Sequence, residues 1–578
     1  MIEATFGSNR LQETGSASHF QSPLRILTAN RNEEVIPLLA EVEATSRAGN
    51  WVALMISYEA ASAFDPAMKT RPPSGLPLVW AAVFASPAES DEHFIDKEYE
   101  IGAWKPLVSH TEFSNAITQI REFIAAGDTY QVNYTFPLAA TFKGDSLSWF
   151  RRLCRAQGAA YCAYFDLGRY QILSISPELF FERDGQTIRT RPMKGTIRRG
   201  RWPDEDEAMA RQLADSAKDR AENVMIVDLL RNDLGRVAVP GTVNVTSLFE
   251  LERYETLWQM TTTIEATLRA DVGFPELMAK LFPCGSITGA PKIRTMEIIR
   301  DLEPFTRGVY TGTLGFLRPD RSAIFNVAIR TVVIDSEQGL ATFGVGGGIT
   351  YDSTVEREYE ECLVKSSFLK TKAIEFELLE SMLLEDGAIF LMQRHLERMK
   401  ASAGYFGFCF PERQIRSSLD EVAAAHPQGS WKIRLLVERG GMIQSEARER
   451  ERSDQRALRV ALASEPVNAH DRFLFHKTTN RGVYERALAS RPDCDDVILW
   501  NERGEVTEST VANVVLLLDG KSYTPPQTAG LLAGTMRAEL LATGKIRERV
   551  IRREELHERS ELFLVNSVSG CRRALLAL

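Results

Sequence analysis

The chain has 578 residues, 44% hydrophobic and 25% charged, with a net charge of −9, which is ordinary for a globular protein but too long for one core, so about two to four folding units are expected. The acidic balance offers no basic footprint for nucleic acid, no run approaches the ~18 apolar residues of a membrane span, and the polar start with Glu3, Asn9 and Gln12 is unlike a signal peptide. Seven dispersed cysteines, from Cys154 to Cys571 and without a C-x-x-C pair, suit buried thiols in a reducing cytoplasm and argue against zinc.

Residues 1 to about 20 are polar and expected to fray. Val52 to Ser57 and Leu78 to Phe84 read as strands, separated by a loop with Pro72, Pro73 and Pro77. Phe113, Ile117, Ile120 and Ile124 repeat at helical spacing up to Gly127, and Tyr130 to Tyr134 returns to a strand. Leu173 to Phe181 reads as a buried strand kinked at Pro177. A turn at Asp184-Gly185 joins it to a second strand, Thr187 to Arg191. This hairpin would bring Glu178 and Lys194 to one end of a sheet, with Pro192 and Gly195 holding the lysine in a rigid turn. An acid and an amine facing one cavity form a general acid beside a nucleophile or base. Taken alone, such a pair is more often a structural ion pair.

Lys218 to Leu230 is a helix that stops near Gly235, with Glu222 on the same face as Ile226; a carboxylate there needs an arginine or a metal. Phe282 to Lys292, which includes Thr288 and Gly289, is a small-residue loop leading into a helix, and by itself a tight turn. Phe325 to Thr331 is a strand ending at Arg330. Gly344, Gly346, Gly347 and Gly348 cluster where backbone could approach an anion, without a nucleotide fingerprint. On the helix from Glu356, the residues Glu358, Glu361 and Lys365 share a face. Alone it is a solvated face; with Glu222 it would supply the carboxylates Mg²⁺ takes. No histidine occurs between His110 and His395, so acid–base work in this half falls to Glu and Lys.

The second half opens after a boundary at Thr371 to Glu375. Phe376 to Leu384 and Ala388 to Met392 form a hairpin, and His395-Leu396-Glu397-Arg398 opens a helix to Tyr405. Val497 to Trp500, Glu505 to Glu508 and Asn513 to Leu518 are strands. Gly534-Thr535 stands at a helix N-terminus, a natural phosphate site. Each feature is bland alone. Lys477 in its apolar and hydroxyl setting, the lone acid Glu508 and the Gly534-Thr535 amides together match a pyridoxal phosphate site: an anchoring amine, a partner for the ring nitrogen and a phosphate cup.

Six ordered motifs of the first half resemble the chorismate-utilising enzymes over about residues 110 to 368. They are Ser176-Pro177-Glu178, Lys194-Gly195-Thr196, Asp219 to Asn223, Gly285 to Lys292, Ile329-Arg330-Thr331 and the helix Glu358 to Lys365. In that family anthranilate synthases carry a small residue where Lys194 stands, and aminodeoxychorismate synthases carry lysine. The resemblance implies that Lys194 attacks C2 of chorismate as the C4 hydroxyl leaves, and that ammonia then enters at C4. Glu178 would be the acid, Glu222 and Glu361 with Glu358 would hold Mg²⁺, and Arg330 would bind the enolpyruvyl carboxylate. Thr288, Gly289, Gly347 and Lys365 would complete the substrate site. Gln259 stands where the family often has histidine, which touches the leaving-group contacts. Met193 replaces isoleucine, a near-isosteric change.

The second half resembles the class IV, branched-chain-type pyridoxal phosphate enzymes over about 376 to 575. It does so through His395 to Arg398, Lys477 to Arg481, Thr507-Glu508-Ser509 with Asn513, and Thr524 to Arg537. The resemblance implies that Lys477 anchors the cofactor, Glu508 pairs with its ring nitrogen, and Arg398 and the Thr535 amide bind the phosphate, with Asn513 nearby. A tyrosine common soon after the lysine is absent at its usual offset, and Tyr484 is its candidate substitute. Lyases and transaminases of this family share the set, so the motifs leave both open; fusion to an aminodeoxychorismate synthase favours the lyase, which consumes that product.

The fold class expected is α/β (α+β), with residues 1–370 a large chorismate-binding sandwich and 376–578 a two-subdomain, class IV unit. The function expected is a cytoplasmic, two-site synthesis of 4-aminobenzoate from chorismate and ammonia. The alternatives are a fused transaminase, or one half serving as a non-catalytic binding module. The halves leave no room for a glutaminase, so a separate glutamine amidotransferase subunit is expected as partner. A homodimer through the second half is the expected self-association.

Overall fold

The structure, a computed structural model, describes residues 3–7, 18–73, 75–88, 96–370, 374–450 and 456–577. The chain divides into two compact units: Met1–Arg199 with Ala210–Ala373, and Gly200–Met209 with Ile374–Leu578. The boundary expected from Thr371 begins outside the described residues, which resume at Ile374.

The first unit is built on two ten-stranded antiparallel sheets among the described residues. Between them lies an apolar core in which Phe6 and Phe20 meet Phe84, Phe165 and Phe316. The expectation of a frayed N-terminus is therefore corrected for residues 3–7 and 18–20, while residues 1–2 and 8–17 lie outside the described residues. Glu3–Gly7 and Ser18–Gln21 pair as strands, and alternation in the first puts Ala4 and Phe6 into that core. A strand this short and polar outside carries too little pattern to be read from sequence. Helices cover the outer faces: His110–Ala125 and Val355–Ser366 over one sheet, Asn32–Arg47 and Ala217–Gly235 over the other.

The segment read as one kinked strand is two. Tyr170–Ser176 belongs to one sheet and Leu179–Asp184 to the other, so the chain crosses between sheets at Pro177-Glu178. The expected hairpin from Leu179–Asp184 to Thr187–Arg191 is present. The strand Ala323–Val327 stops short of Arg330, and Thr331–Asp335 continues in the other sheet. Arg330 thus sits at a second crossing, with φ +49°, a left-handed conformation that costs about 1 kcal/mol or more for such a residue. Two crossings at one end of a sandwich place an acid and a cation where the sheets open. The glycine cluster lies inside strand Leu340–Ile349.

In the second unit a four-stranded sheet, whose long strands are Leu378–Glu385, Ser430–Val437 and Ile443–Glu449, carries helices Met392–Phe406 and Glu412–Ala425. An eight-stranded sheet follows. Its strands Val506–Ser509 and Asn513–Leu518 also pair, through Glu508 and Asn513, so that six strands close into a ring. The segment Gly200–Met209 packs here: Trp202 stacks on Phe475 with centroids 5.0 Å apart, and the Tyr405 hydroxyl donates to Gly200 O at 2.6 Å. No helix among the described residues is long and apolar enough to cross a membrane.

Candidate functional site

The first unit holds a cavity of about 620 Å³ at the sheet crossings. Lys194, Glu178, Arg330, Gly347, Lys365, Glu222, Glu361 and Glu358 all line it. Thr288 and Gly289 do not. The Thr288 hydroxyl is buried on Cys284 O and Gly285 O, and Gly289 pairs with Val132, so both shape the loop behind the wall.

Lys194 lies in strand Met193–Arg198, where the pairing with Leu257–Thr267 shifts register between Met193 and Thr196. Gly195 takes φ +93° there, which a side chain would resist. Gln259 clamps this bulge: its amide donates to Gly195 O at 2.9 Å and its carbonyl accepts from the Thr196 hydroxyl at 2.9 Å. A Cβ at Gly348 would lie 2.6 Å from Lys194 Nζ and 2.4 Å from Gln131 Nε2, so glycine makes room for both. The Gln131 carboxamide is fully buried, with no hydrogen-bond partner for either polar atom. Burial pushes the Lys194 amine below the usual lysine range against the opposing pull of Glu222, which leaves more of it neutral and nucleophilic.

Glu178 is 3% exposed. Burial pushes its carboxyl up to about 7, although Ser286 donates to Oε1 at 2.6 Å and Lys194 draws it down. An acid balanced near neutrality can deliver a proton. Ser286 was not singled out in the sequence, where the small-residue loop gave no reason to choose one hydroxyl. A buried Arg307–Glu303 pair at 2.7 Å braces that loop: Arg307 also donates to Ile287 O at 3.0 Å and Asn133 O at 2.7 Å. Arg330 donates to Gln157 Oε1 at 2.9 Å. Lys365 donates to Gly346 O and pairs with Glu361, both at 2.8 Å; Ser353 donates to Glu358 at 2.7 Å; Lys218 lies 3.8 Å from Glu222. Among the described residues no three or more His, Cys, Asp or Glu side chains gather as a ready metal cluster. Mg²⁺ commonly takes only one or two carboxylates from protein, so carboxylates facing a shared cavity remain a suitable donor set.

In the second unit Lys477, Arg398, Glu508, Asn513 and Thr535 come together as expected. Burial first, and then Arg398, pushes the Lys477 amine down to about 8. Glu508, 4% exposed, is pushed up to about 7 by burial. It accepts from the Tyr484 hydroxyl at 2.8 Å, from Leu532 N at 3.1 Å and from Asn513 Nδ2 at 3.4 Å. Tyr484 is thus committed to Glu508. Gly534 caps helix Thr535–Ala542, and a Cβ there would fall 2.1 Å from Asn513 Oδ1. Arg398 Nη1 donates to Ala533 O at 3.3 Å, beside that helix start. A depressed amine, a buried acid, a guanidinium and a helix N-terminus opened by glycine fit the aldehyde, ring nitrogen and phosphate of pyridoxal phosphate.

Residues 92–371 match the chorismate binding enzymes, and residues 377–576 match amino-transferase class IV. Aminodeoxychorismate synthase component 1 of Salmonella typhimurium is 43% identical over 46% of this chain and 58% of its own length. The Bacillus subtilis protein of that name is 37% identical over 47% of this chain and 58% of its own. The chain therefore spans a little over half the length of these curated relatives. Anthranilate synthase component I from Streptococcus pneumoniae superposes with a TM-score of 0.55 at 22% identity, over 64% of this chain and 92% of that one, a likeness of fold.

Proposed function

From the matches of residues 92–371 to the chorismate binding enzymes and of residues 377–576 to amino-transferase class IV, we propose that this chain makes 4-aminobenzoate from chorismate and ammonia at two sites. The observation that carries the reading is Lys194, its amine depressed by burial, facing Glu178, an acid held near 7, in one carboxylate- and arginine-lined cavity.

In the first unit Arg330, pre-oriented by Gln157, takes the enolpyruvyl carboxylate. Glu178 gives its proton to the departing C4 hydroxyl while the Lys194 amine forms a bond at C2. Ammonia then bonds at C4 and the C2–nitrogen bond to Lys194 breaks, releasing 4-amino-4-deoxychorismate. The Gln131 carboxamide, whose Nε2 and Lys194 Nζ both crowd Gly348, has an unpartnered carbonyl that would suit an incoming ammonia as hydrogen-bond acceptor. Glu222 and Glu361, with Glu358, would hold Mg²⁺, whose charge would offset the ring carboxylate. In the second unit Lys477 takes the C4 proton and returns it to the enolpyruvyl methylene. Pyruvate leaves and the ring becomes aromatic. Bound pyridoxal phosphate would supply the electron sink for charge left at C4. Glu508, held by Tyr484 and Leu532 N, keeps an acceptor toward the ring nitrogen. The seven free cysteines accord with the reducing cytoplasm as its location, and a separate glutamine amidotransferase subunit would supply ammonia.

The test is product analysis on the purified chain. Chorismate, an ammonium salt, Mg²⁺ and pyridoxal phosphate should give 4-aminobenzoate and pyruvate in equal amounts, with no 2-aminobenzoate. EDTA should stop chorismate consumption but spare turnover of supplied 4-amino-4-deoxychorismate, and glutamine should not replace ammonium. Formation of 2-aminobenzoate, or an amino-acid-dependent transamination in place of pyruvate release, would overturn the reading.

A further inference from the structure

Strand Leu378–Glu385 carries a carboxylate that no motif singled out. Glu380 is 1% exposed on the inner face of the sheet. It accepts two bonds from one edge of Arg398, from Nε at 2.8 Å and Nη2 at 2.7 Å, and lies 2.7 Å from His395 Nδ1. Burial alone would raise this carboxyl, but Arg398 and His395 outweigh it and hold it down at about 2. An ionised carboxylate only accepts, so His395 Nδ1 carries the proton and donates. If the ring is neutral, its other nitrogen is an acceptor, and Nε2 stands 3.3 Å from the Thr535 hydroxyl.

Each partner of Glu380 therefore reaches the start of helix Thr535–Ala542. Arg398, its Nε and Nη2 edge fixed, turns Nη1 to Ala533 O at 3.3 Å. His395 touches Thr535. The strand itself is registered on the anchoring lysine: Leu379 N donates to Lys477 O at 3.0 Å, and Leu378 bridges Thr478. One buried carboxylate thus links the backbone of Lys477, the guanidinium and the helix N-terminus. A bidentate grip also fixes the plane of the guanidinium, which a single bond leaves free to rotate.

We propose that Glu380 is the positioning residue of the phosphate corner, orienting Arg398 and, through His395, Thr535 for a phosphate monoester dianion. This rests on the reading of the second unit as a pyridoxal phosphate site. A carboxylate repels a phosphate, so its place here is explained by orientation rather than by attraction.

The experiment uses the full chain, freed of cofactor, with Glu380→Ala and, as a volume-conserving second variant, Glu380→Gln. Each is titrated by equilibrium dialysis with pyridoxal 5′-phosphate and with pyridoxal, which has the same aldehyde and ring but no phosphate. Chorismate consumption by the first unit is measured alongside and should be unchanged. Loss of a buried charged hydrogen-bond hub should weaken pyridoxal phosphate roughly 10- to 100-fold while leaving pyridoxal within about twofold. Equal weakening of both ligands would make Glu380 a general strut, and unchanged or tighter binding of pyridoxal phosphate would make it unnecessary; either result overturns the proposal. A wild-type chain that binds neither aldehyde would instead overturn the cofactor reading beneath it.

Discussion

Each unit sets a half-buried lysine within electrostatic reach of a buried glutamate, and in each the glutamate is held near 7. The pairs differ in what else the glutamate touches. Glu178 receives one side-chain hydroxyl, from Ser286. Glu508 receives the Tyr484 hydroxyl, the Leu532 amide and the Asn513 carboxamide. Similar burial raises both groups, yet the surroundings suit them to different work. A carboxyl with few donors around it can hold and release a proton. One ringed by donors stays an acceptor and gains from a cation placed against it. The raised value alone marks two buried acids; the count of donors is what distinguishes them, and it is the ground for proposing proton delivery at Glu178 and charge pairing at Glu508.

The largest expected effect separates the units. Lys194→Ala should lower formation of 4-amino-4-deoxychorismate by roughly 10³-fold or more while sparing turnover of that compound when supplied. Lys477→Ala should do the reverse and let it accumulate from chorismate and ammonia. Coupled-product assays on both variants check this, and loss of both activities in either variant would collapse the distinction.

Next comes the proton. Glu178 must be protonated to act, and its value of about 7 means the acid form is depleted as pH rises through neutrality. At constant free ammonia, chorismate turnover should therefore fall on the alkaline side of about pH 7. Glu178→Gln should lose roughly 10²- to 10⁴-fold and erase that limb. A wild-type profile flat from pH 6 to 9 would remove the acid role.

The smallest effect tests the donor ring. Tyr484→Phe removes one hydrogen bond to Glu508, whose carboxyl should then rise further, leaving less carboxylate for the ring nitrogen. Affinity for pyridoxal phosphate should fall by roughly three- to tenfold, read by absorbance titration, with chorismate consumption unchanged.

Much of this was legible in the sequence because it lies in short, ordered motifs. Lys194, Glu178, Glu222, Arg330 and Lys365 reach one cavity from five separate segments, and each segment carries its own signature. Lys477, Glu508 and Thr535 are likewise marked by their neighbours. What escaped has no local signature. Ser286 is one hydroxyl among several in its loop. Glu380 sits in an apolar strand 15 residues before His395, and its partners are fixed only by sheet and helix packing. The reading of Leu173 to Phe181 as one strand failed because period-two alternation looks alike whichever sheet a residue joins. The N-terminal strands escaped because Ala4, Phe6 and Phe20 are too sparse to stand out.

The segment Gly200–Met209 lies between the strand of Lys194 and the helix of Glu222, yet it belongs with the second unit, where Trp202 stacks on Phe475. This sets an order of events during synthesis. Phe475 is made 273 residues after Trp202, which at about 5–20 residues per second is roughly a quarter of a minute to a minute. Through that interval Trp202, in the segment between Lys194 and Glu222, lacks the Phe475 ring and keeps the Arg201 guanidinium, 4.7 Å over its own ring. A cut near residue 374 would therefore part Trp202 from the Phe475 ring it stacks on.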